Sequence, residues 1–176
     1  MTNIWLPLVP PTGTAPSKPA VGWTLSLAAC DASDALQGWA LDAASATMTH
    51  TASGLCVANL GGSAGGVLTL ATCGASDGSQ TWHQVGNGEI ASTAAGGQGA
   101  LCVNNDNNVL PAGNPVIAYD CGSSPAWNAL WRVARSSVEA LDASGKRSGM
   151  CASVGPASNP SQWTLPWLPE WSLKDF

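Results

Sequence analysis

Histidines, cysteines and paired carboxylates are the residues of this chain whose chemistry could support catalysis or metal binding. The two histidines, His50 and His83, lie in no HExxH or similar frame, and two are too few for most metal sites. Asp31 and Asp34 could pair, but they lie among alanine and serine in a predicted turn, where carboxylates are ordinarily solvated. No P-loop or dinucleotide-binding motif occurs. The sequence therefore predicts neither an enzyme nor a metal or other cofactor.

The six cysteines are an even number, and none has CxxC or other metal-ligand spacing. This usage favours structural disulfides, so we expect a protein of the extracellular space or the secretory pathway. No signal peptide is visible, because the segment Met1–Leu6 has no basic residue and prolines soon interrupt the apolar stretch. We expect a module or partial chain whose export signal lies elsewhere.

Composition excludes several partners and indicates the fold class. With a formal charge of −5 and six basic residues, the chain lacks the basic stripe of a nucleic-acid-binding surface. Only Lys146 and Arg147 are adjacent, in a predicted solvated turn. No apolar run is long enough for membrane insertion.

Twenty glycines and twelve prolines, many clustered between apolar runs, favour an all-β protein with many tight turns.

Residues 1–20 are rich in proline and poor in packing residues, which is typical of an extended linker. From such a linker we expect that something once preceded the module. We expect residues 21–176 to form one domain, with residues 161–176 as a candidate tail.

Beyond the linker, a motif containing glycine, an apolar residue and cysteine occurs three times, with its cysteines 46 and 49 residues apart. The copies are Ser53-Gly54-Leu55-Cys56-Val57, Gly99-Ala100-Leu101-Cys102-Val103 and Ser148-Gly149-Met150-Cys151-Ala152. This period is close to the roughly 40 residues of known repeat arrays.

A second motif is an alternating apolar strand that ends in cysteine, then a polar turn and a tryptophan. Its copies run from Leu25 to Cys30 with Gln37-Gly38-Trp39, from Leu68 to Cys73 with Gln80-Thr81-Trp82, and from Val116 to Cys121 with Asn128-Ala129-Leu130-Trp131. A degenerate fourth copy, Trp163 to Trp167 with Trp171, has no cysteine.

Short strand candidates separate these motifs at Ala46–His50, Asn87–Ala91 and Ser137–Leu141. Four strands in each of three units give twelve strands with pseudo-threefold symmetry. Because a lone unit cannot bury its apolar face, the three must close around a shared core.

These motifs resemble the repeats of ricin-B-type lectins over about residues 22–173. The resemblance implies a β-trefoil that binds a glycan or polysaccharide, a module also found attached to glycoside hydrolases. Two intact Gln-x-Trp motifs, a third with Ala129 for glutamine, and cysteines in register make the resemblance specific.

In this family, the two cysteines of one unit are bonded to each other. The resemblance therefore implies Cys56–Cys73 in a first unit and Cys102–Cys121 in a middle unit. Cys30 and Cys151 remain, and we infer that the N-terminal strands complete a ring-closing third unit through a Cys30–Cys151 bond. The alternative is that the C-terminal stretch Trp163–Trp171 fills that place and the N-terminal copy is an added hairpin. The even cysteine count favours the first arrangement.

The repeated tryptophans, Trp39, Trp82 and Trp131, could stack on a sugar, but we interpret them as symmetric core anchors. Gln37 and Gln80 are expected to satisfy backbone groups of their turns.

In the family, sugar sites take an Asp after the first cysteine, an aromatic residue two before the second, and an Asn near the Gln-x-Trp motif. The middle unit has Asn104, Tyr119 and Asn128 at these positions, and Trp127 is a candidate second wall. The other units have lost the pattern, with Ala58 and Ala71 in the first and Ser153 and Ala28 in the ring-closing unit. Asn104 in place of Asp predicts weak binding.

Two alternatives stay open on these residues. Tyr119 could be a surface aromatic at a strand end, with the asparagines acting as turn formers. With two of three sites degraded, the trefoil could also be a structural or protein-interaction domain. Its docking surface would then be the tail tryptophans Trp163, Trp167 and Trp171.

Overall fold

The computed structural model describes residues 18–74, 78–93, 96, 99–122 and 126–157. Regular structure in these residues consists of β-strands and single 3-10 turns. The strands are β1 (Thr24–Ala29), β2 (Trp39–Asp42), β3 (Thr47–His50), β4 (Cys56–Ala58), β5 (Gly66–Val67), β6 (Thr69–Ala71), β7 (His83–Gln84), β8 (Ile90–Ala91), β9 (Leu101–Asn105), β10 (Val116–Asp120), β11 (Trp131–Ala134), β12 (Ser137–Leu141) and β13 (Arg147–Gly155). The turns are η1 (Ala35–Gln37), η2 (Gly78–Gln80), η3 (Asp106–Asn108) and η4 (Trp127–Ala129). The all-β prediction is confirmed.

The strands form two sheets, and each sheet contains strands from more than one of the predicted units. One sheet has the order β11-β12-β13-β1-β6-β4-β3-β2, and the other has the order β5-β10-β9-β8-β7. The first unit comprises β3 to β7, the middle unit β8 to β11, and the ring-closing unit β12, β13, β1 and β2. All neighbouring pairs within the sheets are antiparallel, so short turns can connect most of them.

The described residues contain thirteen strands where the repeats predict twelve. The extra strand arises because one predicted strand is interrupted at a single residue. Leu68 separates β5 from β6, and it is fully buried. Its N–H donates to Val116 O (3.0 Å) while its carbonyl accepts from Leu25 N (2.9 Å). β5 pairs with β10 and β6 with β4, so one strand passes from one sheet to the other at Leu68.

The N-terminal strand closes the ring. β1 pairs with β13 over six consecutive residues, from Thr24 opposite Gly155 to Ala29 opposite Met150. The Cys30–Cys151 disulfide fixes the end of this pair. The inference that the N-terminal strands complete the third unit is therefore confirmed. The rival segment, Trp163–Trp171, lies outside the described residues.

The other two disulfides join the cysteines of one unit as the family resemblance implies. They are Cys56–Cys73 and Cys102–Cys121, and each spans two paired strands at one end. In the chain-entropy account, loops of 17 and 19 residues each stabilise the fold by about 3 kcal/mol.

The three repeated tryptophans anchor one continuous core. Trp39, Trp82 and Trp131 are each at most 2% exposed and belong to a single cluster of apolar residues. Their indole N–H groups donate to equivalent carbonyls, those of the residues directly after the first cysteine of each unit. The bonds are Trp39 to Ala152 (2.9 Å), Trp82 to Val57 (3.0 Å) and Trp131 to Val103 (2.7 Å). Each anchor thus buries its ring with its one donor satisfied, as predicted.

The backbone of each anchor also links its strand to a hairpin turn elsewhere in the ring. Trp39 N donates to Ser136 O, Trp82 N to Ala46 O, and Trp131 N to Gly88 O, at 2.7–2.8 Å. Each tryptophan therefore fixes both its own unit and a contact between units.

The glutamines of the two intact Gln-x-Trp motifs bond backbone groups on either side of the second cysteine. Gln37 Nε2 donates to Ala29 O (2.9 Å), and Gln37 Oε1 accepts from Asp31 N (3.0 Å). Gln80 makes the equivalent bonds with Thr72 O and Gly74 N. The predicted structural role of both glutamines is confirmed.

His50 connects β3 to η1 inside the protein. Its Nε2 lies 3.0 Å from Ala35 O and its Nδ1 lies 3.0 Å from Ser53 Oγ. Because a carbonyl can only accept, Nε2 carries the proton and Nδ1 accepts from the serine hydroxyl. Burial lowers the pKa of His50, and the ring packs edge-on against Trp39. His50 is therefore a neutral structural residue.

Replacing Trp82 by phenylalanine should lower the free energy of unfolding by about 2–4 kcal/mol, because it leaves Val57 O without its donor and opens a cavity. Urea denaturation measures the change. Trp127→Phe is the matched control, since Trp127 is only half-buried and should lose far less. Equal losses for the two variants would contradict the anchoring role.

Protonation of His50 should destabilise the fold in mild acid. Its folded-state pKa lies below the unfolded value of about 6.5, so its contribution is present above that pH and is lost as pH falls through the folded-state pKa. Denaturation midpoints between pH 7.5 and 5 should fall for the natural chain and for His83→Gln, but much less for His50→Gln. The same pH dependence in all three proteins would show that His50 is not responsible.

Candidate functional site

Strand register places the residue two before the second cysteine opposite the first cysteine in every unit. These pairs are Tyr119 with Cys102, Ala71 with Cys56, and Ala28 with Cys151. The three positions are thus structurally equivalent. In the middle unit alone, the position holds an aromatic side chain, and Tyr119 is 50% exposed.

A cleft of about 410 Å³ lies over this position in the middle unit. Asn104, Tyr119 and Asn128 all line it, although they come from β9, β10 and η4. The structure therefore brings together three of the four side chains that the sequence singled out. Backbone from Gly122 and Ala126 forms one edge, and η3 forms another.

The two asparagines are bonded to each other on the cleft wall. Asn128 Nδ2 donates to Asn104 Oδ1 (2.5 Å) and makes a longer contact with Asn105 O (3.4 Å). Asn104 is almost fully buried, so this bond fixes its orientation. Within the described residues, no side chain accepts from Asn104 Nδ2, and Asn128 Oδ1 is buried without a partner. The bond thus fixes the orientation of both amides, and Asn104 Nδ2 is the donor that the pair can offer.

The loop after β9 carries a carboxylate into the same cleft. Asp106 lines the cleft and accepts from Asn107 Nδ2 (2.9 Å). Asn114 Nδ2 donates to the carbonyls of Asp106 and Val109, both at 2.9 Å, and so holds the loop in place. Asn107 and Asn108 adopt positive φ, which asparagine tolerates well.

Sequence reasoning missed Asp106 and Asp120 as residues of the cleft. The asparagines were considered as turn formers, but the run Asn104–Asn108 begins in β9 and only its last three residues form η3. Asp120 directly follows Tyr119 in β10 and is exposed. The available signal was the separation of two residues between Asn104, near the end of β9, and Asp106, at the start of η3.

Trp127 lies in η4, one residue before Asn128, and is half-buried. Its neighbours Ala126 and Asn128 line the cleft, but Trp127 itself does not. Its role as a second wall stays a prediction.

The equivalent positions of the other units lack this chemistry. The first unit has Ala58 and Ala71, and the ring-closing unit has Ser153 and Ala28. An alanine methyl group offers no flat face to a pyranose ring, and serine cannot replace the planar amide. The three units therefore share the backbone positions of the site, but only the middle unit has side chains suited to bind a sugar.

The possible catalytic carboxylates have structural partners instead. Asp31 Oδ1 accepts from Ser33 N and Ser33 Oγ, and these bonds lower the pKa of Asp31. Asp34 caps η1 by accepting from Leu36 N (2.9 Å). Both are the turn residues that the sequence indicated.

The family model of the ricin-type beta-trefoil lectin domain matches residues 44–168. The match covers more than half of the chain, and the chain belongs to this family. The fold is accordingly a β-trefoil, and the domain is of a non-catalytic, carbohydrate-binding type. No curated protein matches the chain closely enough to add a nearer relative.

Helical structure in the described residues is limited to 3-10 turns, and none of these could cross a membrane. The linker prediction for residues 1–20 and the tail tryptophans fall almost entirely outside the described part of the chain.

Proposed function

We propose that the middle-unit cleft binds a neutral galactose- or xylose-type glycan, and that the module brings an attached glycoside hydrolase to its polysaccharide. The observation that carries this proposal is the convergence of Tyr119, Asn104 and Asn128 on one cleft. A half-exposed aromatic face can pack against the apolar face of a pyranose. The paired amides can bond adjacent hydroxyls from fixed positions.

The chemistry of the amides supports weak binding. A carboxylate at position 104 would accept charge-assisted hydrogen bonds from sugar hydroxyls, and an amide makes weaker neutral ones. Asn104 compensates in part because its Nδ2 group can donate to a hydroxyl oxygen. We therefore expect a low-affinity site that gains from repeated sugars in a polymer.

The three disulfides support an extracellular or secretory location. The proline-rich segment 1–20 supports a covalent link to another domain. A polysaccharide-degrading partner fits a non-catalytic module that holds its substrate nearby.

The second candidate is a trefoil that no longer binds sugar and acts as a structural or protein-interaction domain. The loss of the aromatic residue at Ala28 and Ala71 favours it. A glycan array separates the two candidates: binding to neutral galactosides or xylosides supports the lectin function. An array without binding, together with a co-purifying protein, supports the interaction domain.

Tyr119→Ala should weaken retention on a galactan or xylan matrix by about tenfold, because it removes the stacking face. The thermal midpoint should change little, since Tyr119 is half-exposed. Tyr119→Phe should keep most of the binding. Leu60→Ala is the matched control, because it also removes exposed apolar surface but lies outside the cleft. Unchanged retention of Tyr119→Ala would overturn the assignment.

Asn104→Asp should tighten binding by roughly 1 kcal/mol, about fivefold in Kd, because the carboxylate can accept from both Asn128 Nδ2 and the sugar. Titration calorimetry with a xylose or galactose oligosaccharide measures the change. Ser153→Asp in the ring-closing unit, which has no aromatic partner, should give no gain. Weaker binding by Asn104→Asp in a folded protein would contradict the proposed contact.

A further inference from the structure

A second cleft, of about 530 Å³, lies in the ring-closing unit beside the Cys30–Cys151 disulfide. One wall is the loop Asp31–Gly38, and the other is the hairpin of β11 and β12. The cleft contains all three arginines of the sequence, which are Arg132, Arg135 and Arg147. In a chain with a formal charge of −5 and six basic residues, this concentration of guanidinium groups is unexpected for a surface without a function.

The cleft also contains three carboxylates, equal in number to the arginines, and each accepts hydrogen bonds from the protein. Glu139 is 2% exposed, and its Oε1 accepts from Gly149 N (3.1 Å). Its Oε2 accepts from Arg147 Nε (2.7 Å). Arg132 Nη1 lies 3.8 Å from the same oxygen, which is too long for a hydrogen bond. The buried carboxylate therefore fixes Arg147 by a hydrogen bond and lies near Arg132, while most of the guanidinium N–H groups stay available.

The carboxylates on the opposite wall keep their charge and accept hydrogen bonds from their own loop. Asp31 Oδ1 accepts from the backbone and hydroxyl of Ser33. Asp34 accepts from Leu36 N (2.9 Å) and Gln37 Nε2 (3.3 Å). Neither makes an ion pair with an arginine of the cleft within the described residues.

Arg135 occupies a backbone position that an arginine rarely takes. It begins the two-residue turn between β11 and β12 with a φ of 55°, where glycine or asparagine is preferred. Its side chain makes no hydrogen bond or ion pair with any described residue. A strained, exposed and unpartnered arginine at a cleft mouth points to a ligand outside the protein.

We propose that this arginine cleft binds the carboxylate or sulfate group of an acidic saccharide. Planar guanidinium groups bind such anions in bidentate fashion, and Arg147 is oriented beforehand by its hydrogen bond to Glu139. The saccharide nature of the ligand rests on the proposed function, whereas the anion selectivity rests on the cleft alone. The neutral site at Tyr119 and this cleft would then recognise different parts of a glycan or different glycans.

Titration calorimetry at low salt tests the proposal with a uronic-acid oligosaccharide, a sulfated galactose oligosaccharide and the neutral counterpart of each. The natural chain should bind at least one acidic ligand about tenfold more tightly than its neutral counterpart, and added salt should weaken this binding. The acidic ligand that binds shows whether the cleft recognises a carboxylate or a sulfate. Equal binding of acidic and neutral ligands would overturn the proposal.

Two variants and a control make the test specific. Arg132→Gln should reduce acidic binding about tenfold. Arg135→Asn should do the same while raising the thermal midpoint, because asparagine suits a positive φ. Lys146→Gln removes the same charge from an exposed turn outside the cleft and should leave binding unchanged. If Lys146→Gln weakens binding as much, the attraction is unspecific and the proposal fails.

The two proposals fail independently. If acidic binding is absent while Tyr119→Ala still weakens neutral binding, the arginine cleft is wrong and the proposed function stands. If neutral sugars do not bind but acidic ones bind through Arg132 and Arg135, the Tyr119 site is wrong and the arginine cleft stands.

Discussion

The pairing of β1 with β13 is the interaction on which the rest of this fold depends. It joins residues more than a hundred positions apart, and the Cys30–Cys151 bond locks it. Without it, the ring-closing unit would have no second strand, and Trp39 would lose the Ala152 carbonyl that accepts from its indole. Closure thus turns three incomplete units into one core.

Much of this architecture could be predicted because the same residues recur in each sequence repeat. Three tryptophans, two glutamines and three cysteine pairs recur in register, and each recurrence corresponds to the same bond in the structure. The strand interruption at Leu68 could not be predicted, because it depends on simultaneous bonds to Leu25 and Val116 from two other units. The residues around Leu68 in the sequence do not predict these contacts with other units.

Comparison of the repeats could predict one of the two clefts but not the other. Tyr119 and Asn104 stood out as the exceptions to a degraded pattern, so the sequence could single them out. The arginine cleft could not be found this way, because its residues come from β11, the following turn and the start of β13. Arg147 was predicted to lie in a solvated turn, and its contact with the buried Glu139 carboxylate is a tertiary feature.

The central claim is that one of three equivalent positions retains the chemistry of neutral sugar binding. Backbone and side-chain amide NMR shifts during titration with a neutral galactose or xylose oligosaccharide test it most directly. The account predicts saturable shifts at Asn104, Tyr119 and Asn128, with none at Ala28, Ala71 or Ser153. Shifts centred on the alanine-bearing units, or a spectrum that does not respond to either sugar, would contradict it.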